Sequence, residues 1–158
     1  MAQVSAGVLA WRGLAQAPEF LLVHPGGPYW AGKDEAAWSI PKGLVEAEED
    51  GWAAAAREFR EELGLEIQGE PQPLTPCKAG GGKVVHAWLV AADLDVTRIV
   101  SNTFEIEWPP HTGRRQAFPE VDRAGWFDAP TAAWKIHKGQ RPILAEALQR
   151  LGALPPLS

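Results

Sequence analysis

The stretch DGWAAAAREFREELGL, residues 50–65, constrains the chain more than any other. Asp50 is a helix-capping residue and Gly64 a helix-ending one, so the spacing predicts a helix running to about Leu63. At about 100° per residue, Glu58, Glu61 and Glu62 share one arc of that helix, whereas Trp52, Ala56, Phe59 and Leu63 share another. One side is an apolar stripe made for a core, and a separate edge is acidic. A run of charges on a helix is ordinarily a solvated face. Like charges three and four apart cost only a few tenths of a kcal/mol each, roughly, and Arg57 and Arg60 offset part of that. The sharper alternative is a carboxylate cluster for a divalent cation, because Mg²⁺ and Mn²⁺ prefer such oxygens. The helix by itself leaves both readings open.

The whole chain has 158 residues, 46% of them hydrophobic, which fits one globular domain over residues 1–158 with a sizeable core and no linker. A formal net charge of −5 argues against broad nucleic-acid binding and means that a polyanionic substrate needs metal ions or local cations. Cys77 stands alone, so no intramolecular disulfide forms, and no apolar run approaches the roughly 20 residues that cross a bilayer. A soluble cytoplasmic protein with no membrane partner is the expectation.

Strands are predicted at 4–12 and 19–24, paired as a hairpin, and again at 83–91, 104–108 and 123–127. Residues 25–37 form a long Gly/Pro-rich loop before the extended piece WSIPKG at 38–43, and loops of that length are often functional. A second helix covers 141–151, where Ile143, Leu144, Leu148 and Leu151 recur at helical spacing. The sum is a mixed sheet covered by helices. The eight tryptophans read as core and loop packing, with Trp30 in the Gly/Pro loop set apart. His24 and His86, in or beside apolar strands, read as satisfied core or edge histidines.

Gly43 to Leu65 follows G-x(5)-E-x(7)-R-E-U-x-E-E-x-G-U, where U is a bulky apolar residue, here Phe59 and Leu65. This resembles the Nudix box at all nine specified positions, an agreement expected by chance on the order of once in ten million chains of this length. The resemblance implies an α/β fold, the Nudix α/β/α sandwich with a mixed sheet. It also implies divalent-metal-dependent hydrolysis of a phosphoanhydride. Its metal ligands carry over to Glu58, Glu61 and Glu62, with the Gly43 carbonyl as a further ligand. Glu49 and Arg57 carry over to the positions that brace the unit through an ion pair. Nudix relatives are often homodimers.

The chemistry suits the residue types. A diphosphate is repelled by four glutamates, and bound Mg²⁺ or Mn²⁺ reverses that sign and acidifies a water. A carboxylate outside the metal shell then takes the water's proton. Glu61 is the first candidate for that base. Glu120 is the second, six residues before Trp126 in FPEVDRAGWF, a spacing that resembles the Nudix pattern of a later-loop acid; Asp122, Glu105 and Glu107 are weaker.

Lys42, directly before Gly43, is placed to reach a phosphate, and the Pro-Lys-Gly lead-in resembles the diadenosine and diphosphoinositol polyphosphate branches. HPGGPYW and KGQRPIL resemble bacterial Nudix proteins described only as predicted nucleotide pyrophosphohydrolases. Trp30 and Tyr29 are candidates for stacking on a base, and Lys33, His111, Arg114 and Arg115 are loop cations that could supplement Lys42. The partner expected is therefore a small nucleotide or polyphosphate. Two other functions stand against the enzyme. A non-hydrolytic nucleotide-binding or regulatory module is disfavoured by the complete set of box glutamates. An RNA 5′-end pyrophosphohydrolase is disfavoured by the lack of a basic track.

Overall fold

The computed structural model describes residues 3–153. A long first strand, β1 (Gln3–Leu14), turns back into β2 (Ala17–Pro25), giving the expected hairpin with Trp11 opposite Phe20. After the loop come β3 (Lys42–Leu44), α1 (Gly51–Leu63) and two-residue strands β4 (Gln72–Pro73) and β5 (Cys77–Lys78). Then follow β6 (Lys83–Ala91), β7 (Thr103–Glu107), β8 (Arg115–Pro119), β9 (Val121–Asp128), α2 (Ala129–Lys135) and α3 (Arg141–Leu151). The main sheet runs β4-β6-β1-β2-β9, with β3 joined to β1 and β5 to β6. It is mixed: β1 is parallel to β6 and antiparallel to its other partners. β7 and β8 form a separate ribbon.

Residues 6–10 of β1 are all buried, so both faces of the sheet are covered. Alternation sorts them. Ala6, Val8 and Ala10 join Leu21, Val23 and the α1 residues Ala54, Ala55, Phe59 and Leu63 on one face. Leu9, Phe20 and Leu22 meet Ile136, Ile143, Leu144 and Leu148 on the other. The result is the α/β/α sandwich that the resemblance implied.

Along one edge β1 has two partners. Its end at residues 11–14 pairs with β2, and its beginning at 5–7 pairs with β3. β1 and β2 diverge between those registers, and segment 38–44 fills the opening. Val23 and Ser39 exchange backbone hydrogen bonds of 2.8 and 2.9 Å, and the Val8 N–H donates to the Pro41 carbonyl. Gly7 permits this passage, because a methyl group there would lie 2.7 Å from the Pro41 oxygen and 2.8 Å from Lys42 Cβ. The lead-in to the box is thereby set into the sheet.

Besides the two-residue strands β4 and β5, which were not expected, three elements differ from the sequence reading. Helix α2 was not expected, being seven residues long, and owes its start to the Asp128 carboxylate that caps the Thr131 N–H. Strand β8 takes in Arg115, read above as a loop cation. The apolar stripe of α1 is rotated: Ala54 and Ala55 are buried with Phe59 and Leu63, whereas Trp52 and Ala56 are only half-buried.

Candidate active site

The rotation of α1 moves Glu62 off the solvated edge. Asp50 caps the helix through the Ala53 N–H at 3.2 Å, and Gly64 ends it in the left-handed region at φ 69°. Between them Glu62 retains only 8% exposure, beside the core, and one carboxylate oxygen accepts the Lys42 N–H at 3.2 Å. Burial, joined by the charges of Glu58 and Glu120 and opposed by Lys42, pushes its carboxyl up to about 8. Glu58 lies directly against Gly43: a methyl group on Gly43 would fall 1.9 Å from the Glu58 carboxyl carbon. The box glycine is there because the carboxylate needs its side-chain space.

Arg57 organises the remaining acids. Its guanidinium holds Glu49 through two bonds of 2.8 and 3.0 Å, donates to the Leu44 carbonyl at 3.0 Å, and through Nη1 reaches Glu58 at 2.9 Å and Glu61 at 3.1 Å. The same side chain thus ties the loop after β3 to the helix. The Arg57 hydrogen bonds, with the Glu46 N–H, draw the Glu49 carboxyl down to about 2. Glu58 is shifted the other way, raised by burial first and then, against the pull of Arg57, by the Glu61 and Glu120 charges.

Among the described residues, no three acidic, histidine or cysteine side chains form a ready metal cluster; Arg57 stands between Glu58 and Glu61. The donor chemistry nevertheless fits a hard cation. Glu58, Glu61 and Glu62 each have one oxygen outside the bonds above, and since no fully buried side-chain oxygen among the described residues lacks a partner, those oxygens keep some contact with solvent. Burial first, and then the neighbouring carboxylates, raises Glu58, Glu62 and Glu120, and a bound cation would oppose all three shifts.

Glu120 reaches this cluster from the opposite side of the sheet opening. Its N–H donates to the Asn102 carbonyl and its carbonyl accepts the Gly26 N–H, while the Asn102 N–H donates to the Glu61 carbonyl. The β8–β9 connection is therefore anchored on the end of α1 and on the start of the Gly/Pro loop. Burial and the Glu61 charge raise the Glu120 carboxyl. With Lys42, Ser39 and Glu62 it lines a cavity of about 180 Å³. A neighbouring cavity of about 340 Å³ brings Tyr29, Trp30, Phe104 and Ile106 up to Glu120.

Other candidates fall outside. Glu105 and Glu107 are exposed on the ribbon. Arg114, exposed between β7 and β8, lines neither cavity; its carbonyl accepts the Trp108 N–H, and Trp108 meets Tyr29 edge-on at 5.3 Å between ring centroids. Lys33 leans over Trp30, with its ammonium 5.4 Å from the ring centroid. Asp122 is engaged by His24, which is fully buried and bonds Asp122 at 2.9 Å and the Lys33 carbonyl at 2.7 Å, a satisfied core histidine. Sequence reasoning passed over Lys83, His137 and Gln140, which line a third cavity with Lys42. KGQ was noted as part of a resemblance, but nothing in its spacing says that it meets Lys42.

No curated protein compared with the chain matches it. Among solved structures, the fold is similar to the Ap4A hydrolase of C. elegans (21% identity, TM-score 0.59, covering 97% of this chain and 100% of that one). It is also similar to the NUDIX domain of Shewanella oneidensis NrtR complexed with ADP ribose (13%, TM-score 0.60, 95% and 88%). A MutT/nudix family protein from Enterococcus faecalis aligns at 16% identity and TM-score 0.56 over 81% of this chain, which spans 44% of that longer protein. The family model for the NUDIX domain matches residues 1–147, and the chain belongs to the Nudix family.

Proposed function

We propose that this Nudix pyrophosphohydrolase cleaves a phosphoanhydride bond in a nucleoside diphosphate linked to another group, with dinucleoside polyphosphates and nucleoside triphosphates as the compound classes. The observation that carries the reading is the junction of two cavities at Glu120. One is lined by carboxylates and Lys42, the other by Tyr29, Trp30 and Phe104. A base stacked on Trp30 or Tyr29 leaves its phosphates beside the box. Two solved neighbours point the same way, one being an Ap4A hydrolase and the other holding ADP ribose, both ligands of this general class.

Glu58, Glu61 and Glu62, with the Gly43 carbonyl, are the residues that would hold Mg²⁺ or Mn²⁺. A bound ion supplies neutralisation of the diphosphate and a water of lowered pKa. Glu49 and Arg57 orient the ligands. Lys42 holds a phosphate oxygen. Glu120 is the better-placed general base, because Glu61 is engaged by Arg57 whereas Glu120 lines the cavity with no ion-pair partner among the described residues. Arg114 contributes at most to the outer end of a long substrate.

Phosphate release should be measured with Mg²⁺ or Mn²⁺ on dinucleoside polyphosphates, nucleoside triphosphates, nucleotide sugars, dinucleotide cofactors and diphosphoinositol polyphosphates. Turnover of one of the first two classes, abolished by chelation and cut at least about 100-fold by Glu61→Gln, is expected. Tight nucleotide binding with no turnover on any compound would instead favour the non-hydrolytic module.

A further inference from the structure

His24 is fully buried, and the chemistry derived so far makes no use of it. Its Nε2 lies 2.7 Å from the Lys33 carbonyl oxygen, and its Nδ1 lies 2.9 Å from a carboxylate oxygen of Asp122. A carbonyl only accepts, so Nε2 carries a hydrogen. An ionised carboxylate only accepts as well, so Nδ1 carries another, and the ring is a double donor whose charge Asp122 balances. The Arg123 guanidinium faces the same carboxylate at 3.6 Å. Burying such a ring is unfavourable unless both nitrogens are bonded, so His24 holds its two partners in a fixed relation.

Those partners belong to the two segments that meet at the site. Asp122 stands two residues after Glu120, at the start of β9. Lys33 closes a turn on Trp30, its N–H donating to the Trp30 carbonyl at 3.0 Å. The next residue is held too: the Asp34 carboxylate accepts Trp38 Nε1 and Lys135 Nζ, each at 2.7 Å. Trp38 in turn meets the His24 ring edge-on, 5.2 Å between centroids. At the other end of the loop the Gly26 N–H donates to the Glu120 carbonyl at 3.0 Å. Tyr29 and Trp30 lie between these anchors, on the exposed part of the loop.

We propose that His24 is a positioning residue for substrate: through the Lys33 carbonyl it holds the Trp30 turn against the strand that begins beside Glu120, so that the face receiving the base is in place before substrate arrives. The proposal rests on the reading of the aromatic cavity as the seat of the base. A loop ordered in advance loses less freedom on binding, and the gain appears as affinity for the base-bearing part of the ligand. The Lys33 bond carries this effect, and the Asp122 bond orients the ring that makes it.

Three substitutions separate the two bonds. Gln at position 24 can place an amide N–H near Nε2 and keep the Lys33 bond; Asn can place one near Nδ1 and keep only the Asp122 bond; Leu keeps neither. Calorimetric titration with adenosine monophosphate and Mg²⁺ should show binding weakened about tenfold in His24→Leu and His24→Asn and less than about threefold in His24→Gln. Ribose 5-phosphate, which lacks the base, should change less than about twofold in all three. Limited digestion with trypsin, which cuts at the Lys33 carbonyl itself, should cleave there about tenfold faster in the Leu and Asn variants than in wild type or His24→Gln, relative to other sites. Melting curves confirm folding, and the contrast of Asn with Gln decides the matter if the Leu variant does not fold. Losses that follow melting temperature in all three variants, or that are equal for the two ligands, overturn the positioning role. Adenosine monophosphate binding that all three variants leave unchanged overturns it alone, whereas a wild-type protein that does not bind this nucleotide sinks the base-binding reading and the positioning role with it.

Discussion

At Gly43 a single hydrogen in place of a methyl group lets the Glu58 carboxylate lie against the backbone of β3. Gly43→Ala should force the carboxylate aside, costing about 1 to 3 kcal/mol as an overpacked contact and at least about 100-fold in turnover. Melting curves and kcat measure the two effects, and an alanine variant of normal activity would refute the contact. Glu120 stands at the same scale. Glu120→Gln should lower kcat by about 10² to 10⁴-fold with the melting temperature nearly unchanged, since its side chain pairs with no cation in the described residues. Should Glu120→Gln leave kcat intact while Glu61→Gln abolishes it, the base is Glu61. That Glu58, Glu61 and Glu62 share one edge of the helix was readable, because they stand three and four residues apart. The shifts that distinguish them were not, because burial of Glu62 depends on which way α1 rolls onto the sheet.

The element that matters most is α1. Phe59 is fully buried beneath it, so Phe59→Ala should cost about 3 to 5 kcal/mol, whereas loss of the Asp50 cap should cost about 1. Chemical denaturation of the two variants orders them, and a cap more costly than the core residue would contradict the packing. The helix also carries a pH dependence. Glu62 titrates near 4.5 in an unfolded chain and about 8 in the folded protein. A folded-state pKa raised in this way contributes stability that is fully present below about 4.5 and is lost as pH rises toward about 8. Metal-free protein should therefore lose roughly 2 to 4 kcal/mol of stability between those limits, and Glu62→Gln should flatten the profile. A wild-type profile that rises over that window would sink the assignment. Local pattern announced the helix, its cap and its glycine stop. It misjudged the apolar stripe, because an ideal wheel centred on Trp52 and Ala56 ignores the sheet that selects Ala54 and Ala55.

Across the whole molecule, the site is an opening in a sheet. β1 takes β2 at one end and β3 at the other, and the gap receives the Lys42 segment, the end of α1 and the β8–β9 connection. A cation binding there cross-links α1 and β3 in the folded state alone, so saturating Mg²⁺ or Mn²⁺ should raise the melting temperature by several degrees, a gain of about 2 to 4 kcal/mol. The gain should disappear in Glu58→Gln. An unchanged melting temperature with saturating ion would argue that the glutamates hold no metal. The long strands, α1 and α3 could be foreseen, since periodicity over nine or more residues outweighs its exceptions. α2, β4 and β5 are too short to carry a period and exist because neighbouring elements hold them. By itself the sequence determined the family and the residue types of the box, because that motif is written in 23 consecutive residues, and the periodicity of the longer elements implied the α/β architecture. Tertiary structure alone decided that Glu62 is buried, that Glu120 lines a cavity with it, and that Lys83 and His137 line a cavity with Lys42. Those neighbours are far apart along the chain, and what joins them is strand order and the divergence of β1 from β2, which no local spacing encodes.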